Sequence, residues 1–452
     1  MLANLKRSVA LLLLLSLVLC LFGCTEQQPQ ETTAAPTEQT QPPEVIDYAS
    51  SVKLDMESAT AKQEVTVKLF IDGDTTHFYV PATVMSNGVL KARYMAVDTP
   101  ESTGKIEEYG KKAAKFTREK LESASSIVIE SETAFWTADS TGSRFMAWVW
   151  YKTPDMTDYR NLNIELLQNG LAIASNAGGN QYGETCLAAI DQAKREKLNI
   201  HSGEKDPDFY YGEAVELTLR ELRTNTETYS GMKVAFEGVI TTNDNNSVYV
   251  EGYDPETDMY CGMAVYYGFN LNGKGLEILS VGNEVRIVGS LQYYEAGGTY
   301  QVSDLKYQIM RPTAADNIQC LSEGNAPAFV LTDAETFTNG QVTFTAEDGS
   351  TVTKPYAEMA LNSSIEMKGL KVRSIYTTKN EDSASKGAMT LTCEVDGKTI
   401  SVRTVVLRDA EGNLITADAY QGKTIDVKGL VDYYNGTYQI KVFSPDNITV
   451  VE

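Results

Sequence analysis

An internal repeat in the second half of the chain constrains the fold more than any other feature of the sequence. Residues 282–294 read GNEVRIVGSLQYY and are followed, after a glycine-rich turn, by TYQV at 299–302. The pattern returns as GKTIDVKGLVDYY at 422–434, an Asn-Gly turn, and TYQI at 437–440. Apolar and polar residues alternate in both copies, as in half-buried strands. The repeat predicts two copies of one β-rich module.

The turn within each copy also predicts a register. Asn-Gly is the strongest two-residue hairpin signal, so we expect Tyr433 to lie opposite Tyr438. Counting outward from the longer turn of the first copy places Tyr293 opposite Tyr300. Such rings can stack nucleobases, which makes the four tyrosines candidate nucleic-acid contacts. The alternative is a cross-strand pair with a structural role only, and the sequence leaves both interpretations open.

Length and charge limit the classes of function. At roughly 150 residues per domain, the 452 residues are enough for about three domains. The formal net charge of −22 opposes long-range attraction to polyanions, so any contact with nucleic acid must be local. Only His77 and His201 are available, which excludes sites built on three imidazoles. Oxygen-ligand chemistry is therefore favoured.

The first 24 residues have the pattern of an export signal. Lys6 and Arg7 precede an uncharged run that is shorter than the roughly 20 residues needed to span a bilayer. The run ends Leu-Phe-Gly-Cys at residue 24, which resembles the bacterial lipobox and implies that Cys24 is lipidated. The alternative is an ordinary signal peptide with an incidental cysteine. We expect attachment to the cell membrane, on its extracytoplasmic face, through a Thr/Gln/Pro-rich tether over residues 25–60.

Four cysteines remain after this segment, and no two of them form a CxxC pair. Their spacing gives no zinc site, and an exported chain permits disulfides without requiring them. We expect free thiols at Cys186, Cys261, Cys320 and Cys393.

Two strand-like runs between residues 61 and 202 end in acidic turns. The run 65–71 is followed by Asp-Gly-Asp-Thr, and the run 91–97 is followed by Asp-Thr-Pro-Glu. If these strand ends lie together, Asp74, Asp98 and the carbonyl of Thr99 can bind calcium, with water completing the shell. Taken singly, both sequences are ordinary turns.

The order of the elements in this region resembles the staphylococcal nuclease (thermonuclease) family. An arginine lies five residues before the Asp-Thr-Pro-Glu turn, a basic segment follows, and Gly-Ser-Arg at 142–144 leads into Ala-Trp-Val-Trp. The resemblance implies a five-stranded oligonucleotide-binding (OB) barrel with three helices that hydrolyses phosphodiester bonds with calcium. The implied roles are calcium ligands at Asp74, Asp98 and Thr99, with Asp72 beside them, activation of water by Glu101, and phosphate clamping by Arg93 and Arg144. Arg144 is displaced by one residue from the family pattern.

The basic segment predicts a helix over Tyr109–Leu121, because apolar residues recur on one side of it. Lys111, Lys115 and Arg118 line another side and are candidate contacts with a phosphate backbone. The alternative is a solvated helix face.

Together these features predict a mainly β chain, with an α+β nuclease domain followed by two further OB-like β-barrels. The predicted boundaries are 1–24, 25–60, 61–202, 203–312 and 313–452. The predicted function is that of a lipid-anchored, Ca2+-dependent nuclease acting on single- or double-stranded DNA and on RNA. The alternative is a catalytically inactive surface lipoprotein that binds nucleic acid or another ligand. No protein partner is indicated.

Overall fold

The structure, a computed structural model, describes residues 44–103, 105–269, 271–346, 349–380 and 383–451. The predicted export signal, Cys24 and the tether up to residue 43 lie outside these residues. The chain divides into residues 1–46 and a second unit, 47–452, which holds all the elements given below. None of the described helices is long and apolar enough to cross a membrane.

The first barrel follows a short helix, α1 (Tyr48–Ser51). Its five main strands are β1 (Lys62–Asp72), β2 (Thr75–Tyr79), β3 (Val89–Tyr94), β5 (Ser126–Glu130) and β6 (Phe145–Lys152). Three two-residue strands accompany them: β4 (Val97–Asp98), β7 (Arg160–Asn161) and β8 (Ile173–Ala174). The helices are α2 (Gly110–Glu122), α3 (Leu162–Gln168) and α4 (Gly183–Arg195), with a 3-10 turn at Asn199–His201.

The second barrel begins with β9 (Val215–Glu216) and helix α5 (Leu219–Thr224). Its main strands are β10 (Lys233–Asn243), β11 (Ser247–Asp254), β12 (Met259–Tyr266), β13 (Glu284–Tyr294) and β14 (Thr299–Ser303). Helix α6 (Lys274–Ile278) lies between β12 and β13, and β15 (Gln319–Ser322) follows β14.

The third barrel repeats this plan. It starts with β16 (Val330–Leu331), α7 (Ala334–Asn339), the hairpin β17 (Gln341–Thr345) and β18 (Thr351–Pro355), and α8 (Tyr356–Met359). Its main strands are β19 (Ser364–Thr377), β20 (Met389–Val395), β21 (Lys398–Thr404), β22 (Thr424–Tyr434) and β23 (Thr437–Val442). Short 3-10 turns lie at Ala417–Ala419 and Pro445–Asn447, and β24 (Ile448–Val450) ends the fold.

All three barrels close by the same circuit. The first strand pairs antiparallel with the second and the fourth, and the second pairs with the third. The fifth strand runs antiparallel to the fourth and parallel to the third, through β3–β6, β12–β14 and β21–β23. This strand order is that of the OB fold, so the predicted fold class is confirmed.

The predicted tyrosine register is confirmed in both copies of the repeat. Tyr293 lies opposite Tyr300, and Tyr433 lies opposite Tyr438. Their ring centroids are 5.2 and 5.1 Å apart. The register follows from the turn because a hairpin turn fixes the pairing of the residues that flank it.

The second and third barrels share one hydrophobic core. Two buried charged side chains cross between them. Arg223, from α5, donates to the carbonyl of Gly262 in its own barrel and to that of Leu361 in the third barrel. Glu251 accepts hydrogen bonds from the amides of Ala328 and Ser364, each 2.7 Å long. Since both charged groups have hydrogen-bond partners across the junction, the two barrels hold one fixed arrangement.

The structure differs from the sequence-based boundaries at two places. Helix α1 already packs on the first barrel, where the amide of Ala49 donates to Oε1 of Gln168 over 3.0 Å, although residues 47–60 were assigned to the tether. Strand β15 pairs with β13 beyond the predicted boundary at residue 312. Both segments are short, and their apolar residues pack against the barrels only in the folded chain.

The strand expected over residues 91–97 is also interrupted, because Ala96 has φ of 65° and separates β3 from β4. The predicted helix over residues 109–121 is confirmed as α2. The four cysteines are free, as expected, with Cys186, Cys261 and Cys393 buried and Cys320 exposed.

Asn163 joins helix α3 to the wall of the first barrel. Its fully buried amide donates to the carbonyls of Met95 and Ala147, over 2.8 and 3.1 Å, and accepts from the amide of Val149 over 2.9 Å. We expect Asn163→Ala to lower the free energy of unfolding by about 3 kcal/mol, because it leaves buried backbone groups unpaired.

Tryptophan fluorescence during denaturant unfolding measures this change, since all three tryptophans belong to the first barrel. Asn169→Ala is the matched control: the Asn169 side chain donates once, to the Glu165 carbonyl, from a half-buried position. Its cost should stay within about 1 kcal/mol. Equal losses in the two variants would contradict the assignment.

Candidate functional site

The two acidic turns meet at one end of the first barrel. Pairing of β2 with β3 places Thr75 opposite Arg93, next to the turn that carries Asp74. The amide of Thr99 donates to Oδ2 of Asp74 over 2.8 Å, and the Asp74 side chain is almost fully buried. The turn after β1 is therefore tied directly to the loop after β4, as the sequence predicted.

Arg93 bridges the carboxylates of the two turns. Its Nη1 pairs with Oδ1 of Asp74, and its Nη2 pairs with Oδ1 of Asp98. Burial raises the pKa of Asp74, and the nearby charge of Arg93 opposes that increase. The guanidinium thus compensates two negative groups that would otherwise repel each other.

Asp72 and Glu101 form a second acidic pair beside this cluster. Asp72 Oδ1 accepts hydrogen bonds from the amide of Gly73 at 2.9 Å and from Oγ of Ser102 at 2.7 Å. Partial burial of Glu101, its hydrogen bond with Asp72, and the negative charges of Asp72 and Asp74 raise the pKa of Glu101 to about 8. A carboxyl group with a pKa near neutrality suits general acid–base chemistry.

Close packing under the turn keeps these groups together. The carbonyl of Gly73 accepts a hydrogen bond of 2.6 Å from Oγ1 of Thr117, on α2. A Cβ at Gly73 would lie 2.8 Å from Oγ1 of Thr99 and 2.9 Å from Cβ of Ala113. Glycine is thus needed here because a larger residue would push α2 and the second loop away.

The oxygen donors at this place suit a hard cation. Asp74 and Asp98 supply carboxylates from two neighbouring segments of the chain. Thr99 directly follows Asp98, and its amide donates to Asp74. Oγ1 of Thr99 is buried without a hydrogen-bond partner, which marks unused oxygen capacity at the same point. These donors fit calcium, which accepts carboxylates, carbonyls and water in a flexible shell.

Two features bear on how a cation would be held. Arg93 pairs with the same two carboxylates, so its guanidinium group would have to release them before they could bind a cation. Across the described residues, no group of three or more His, Cys, Asp and Glu side chains has the arrangement of a metal site. The backbone carbonyl and water would therefore have to supply the remaining ligands.

Arg144 lies apart from the Arg93 cluster. It directly precedes β6, and its Nε pairs with Oδ2 of Asp139 over 2.7 Å within the same hairpin. The parallel register sets Met146 beside Arg93, so Arg144 falls two residues toward the start of the strand, on the same face. The guanidinium of Arg144 is thus directed to a local partner within the hairpin.

The basic side of α2 faces the second barrel. Nζ of Lys111 fills the space that a Cβ at Gly231 would take, and burial lowers the pKa of Lys111. Arg118 pairs with Glu295 and lies 4.4 Å over the ring of Phe70. Lys115 is exposed, with Glu119 3.8 Å away.

Sequence reasoning missed Ser102, Thr117 and Glu295. Ser102 orients Asp72, Thr117 fixes the Gly73 turn, and Glu295 holds Arg118. Ser102 directly follows Glu101 and could have been noted from its position. The other two carry no local signal, because their partners are 44 and 177 residues away.

We expect Gly73→Ala to lower the free energy of unfolding of the first barrel by about 1–3 kcal/mol, because the added methyl group overpacks Thr99 and Ala113. Tryptophan fluorescence during denaturant unfolding checks this. Gly178→Ala is the matched control, since its Cβ would meet nothing within 4 Å, and it should shift stability by no more than about 0.5 kcal/mol. A neutral Gly73→Ala would show that the turn is loosely packed.

The family comparison agrees with this geometry. Residues 91–203 match the model of a family described as "Staphylococcal nuclease homologue". The match includes Arg93, Asp98, Thr99, Glu101 and Arg144, and it begins after β1, which ends at Asp72, the turn that carries Asp74, and β2. The structure supplies those two strands and completes the barrel. Residues 91–203 of the first barrel therefore match a staphylococcal nuclease homologue domain, and two further OB-type barrels follow this barrel.

Proposed function

We propose that the first barrel hydrolyses phosphodiester bonds of DNA and RNA with Ca2+ as cofactor. The observation that carries this proposal is the convergence of Asp74, Asp98 and Arg93 beside Glu101, in a nuclease-homologue domain. It unites hard oxygen donors, a guanidinium fork and a carboxyl group with a pKa near neutrality. Together these three kinds of group can support hydrolysis of a phosphodiester.

In the proposed reaction, Asp74, Asp98 and the Thr99 carbonyl would hold the cation. The bound cation supplies Lewis-acid stabilisation of the phosphoryl oxygens. Glu101, in its ionised form, accepts a proton from the attacking water. The water oxygen forms a bond to phosphorus as the bond from phosphorus to one sugar oxygen breaks, and that sugar oxygen takes up a proton from the solvent.

The two arginines stabilise charge on the phosphate. Negative charge gathers on the phosphoryl oxygens in the five-coordinate transition state, and a planar guanidinium can bind two such oxygens. Arg93 would exchange its carboxylate partners for these oxygens when substrate arrives. Arg144 would likewise leave Asp139.

Arg93→Ala should reduce calcium-dependent release of acid-soluble fragments from single-stranded DNA about 100- to 1,000-fold, since a group that stabilises the transition state is lost. Arg160→Ala is the matched control. The side chain of Arg160 is 20% exposed, against 19% for Arg93, and it pairs with Asp47 and Glu165 elsewhere in the same barrel. This control should keep most of the activity, and a chelator should abolish the activity of wild-type protein.

Failure of the folded wild-type protein to release fragments with calcium would contradict hydrolysis. It would favour the alternative of a binding protein whose Arg93 remains bridged between Asp74 and Asp98. Equal loss of activity in the Arg93 and Arg160 variants would show that the effect comes from stability. Tryptophan fluorescence distinguishes these outcomes, because it reports on folding of the first barrel.

We further propose that Cys24 anchors the protein to the extracytoplasmic face of the cell membrane. The support is the residue pattern that ends in Gly23-Cys24, followed by a polar segment. Cys24→Ser should abolish incorporation of a radiolabelled fatty acid and move the protein from the membrane fraction to the soluble fraction, because the acyl attachment atom is lost. Cys320→Ser, at an exposed free thiol, is the control and should leave both unchanged. Membrane attachment of Cys24→Ser would contradict the anchor.

A further inference from the structure

A cleft of about 700 Å³ lies between the first and second barrels. One wall is the basic side of α2, with Lys111, Lys115 and Arg118. The opposite wall is the β13–β14 hairpin, with Tyr293 and Tyr294. Three basic side chains thus face two tyrosine rings and the carboxylate of Glu295, which pairs with Arg118.

The cleft extends to the candidate catalytic site. Asp72 and Ser102 belong to its lining, and Asp72 is hydrogen-bonded to Glu101. A chain molecule lying in the cleft would therefore reach the acidic pair without crossing the rest of the protein surface.

The aromatic wall continues beyond the cleft into the third barrel. A Cβ at Gly298 would lie 3.7 Å from a ring carbon of Tyr433 and 4.0 Å from the hydroxyl of Tyr293. The tyrosine pairs of the two repeat copies therefore meet at this glycine. Together they form one aromatic strip, defined by Tyr300, Tyr293, Tyr433 and Tyr438.

The chemistry of the strip suits unpaired bases. Aromatic side chains stack on the bases of single-stranded nucleic acid and tolerate any sequence. In a duplex the faces of the bases are already stacked on each other, so they are not free to stack on these tyrosine rings. The few cations also suit a short local contact better than a long run of phosphates, since Arg118 is already paired with Glu295.

We propose that single-stranded DNA or RNA binds along the aromatic strip and enters the cleft beside α2. Its bases stack on Tyr293 and Tyr433, and its phosphates approach Lys115 and Arg118. The strand then presents a phosphodiester to the site next to Asp72. This inference deepens the proposed hydrolysis by naming an unpaired strand as the substrate and the two repeated barrels as its binding surface.

The test measures fluorescence anisotropy of labelled oligo(dT) and oligo(U), about 20 nucleotides long, with the full chain in chelator so that cleavage cannot interfere. Wild-type protein should bind the single strands more tightly than a duplex of the same length. Tyr293→Ala and Tyr433→Ala should each weaken binding about fivefold or more, because one stacking ring is lost. Tyr293→Phe and Tyr433→Phe retain the ring and should bind like wild type.

Tyr253→Ala is the matched control. Tyr253 is 52% exposed, against 54% for Tyr293, and it also has a cross-strand tyrosine, Tyr260, within the second barrel. It lies outside the strip, so its loss should leave affinity unchanged. Alanine variants of the strip that bind like wild type would overturn the inference, as would equally tight binding of duplex.

The assay separates this inference from the proposed hydrolysis. Tyrosine-dependent binding by a protein that never cleaves with calcium would refute hydrolysis and leave the strip in place. Cleavage by wild type, together with unchanged binding in both alanine variants, would refute the strip and leave hydrolysis in place.

Discussion

The ion-pair bridge from Arg93 to Asp74 and Asp98 is the interaction on which the candidate site depends. Two carboxylates from separate turns would repel each other at this separation, and Asp74 is buried with little access to water. The guanidinium supplies the compensating charge, and the Thr99 amide donates a hydrogen bond to Oδ2 of Asp74. The bridge therefore brings two carboxylates, which are hard oxygen donors, together with a planar guanidinium group.

Closure of the first barrel sets the position of this bridge. The parallel pairing of β3 with β6 fixes Arg93 on the wall, and α2 presses the Gly73 turn against Thr99. The same strand circuit recurs twice more, where it carries the Tyr293–Tyr300 and Tyr433–Tyr438 pairs. One topology thus carries the Arg93 bridge in the first barrel and a cross-strand tyrosine pair in each of the other two.

Local signals were the part of the structure that sequence could predict. The Asn-Gly turn determined the tyrosine register, because the paired residues flank the turn closely in the chain. The partners of Lys111 and Arg118 could not be predicted, since Gly231 and Glu295 belong to the next barrel. The side-chain direction of Arg144 was missed because Asp139 competes for it within an irregular turn.

The second and third barrels, which carry the internal repeat, are not independent modules, because they share one hydrophobic core. Gly262 touches the backbone of Asn362 and Ser363 so closely that a Cβ there would lie 2.3 Å from Asn362, and Arg223 is satisfied by both copies. Duplication has produced an obligate pair, in which each copy completes the interior of the other. Deletion of the terminal copy would not shorten the protein by one module, because it would strip the interior wall from the copy left behind.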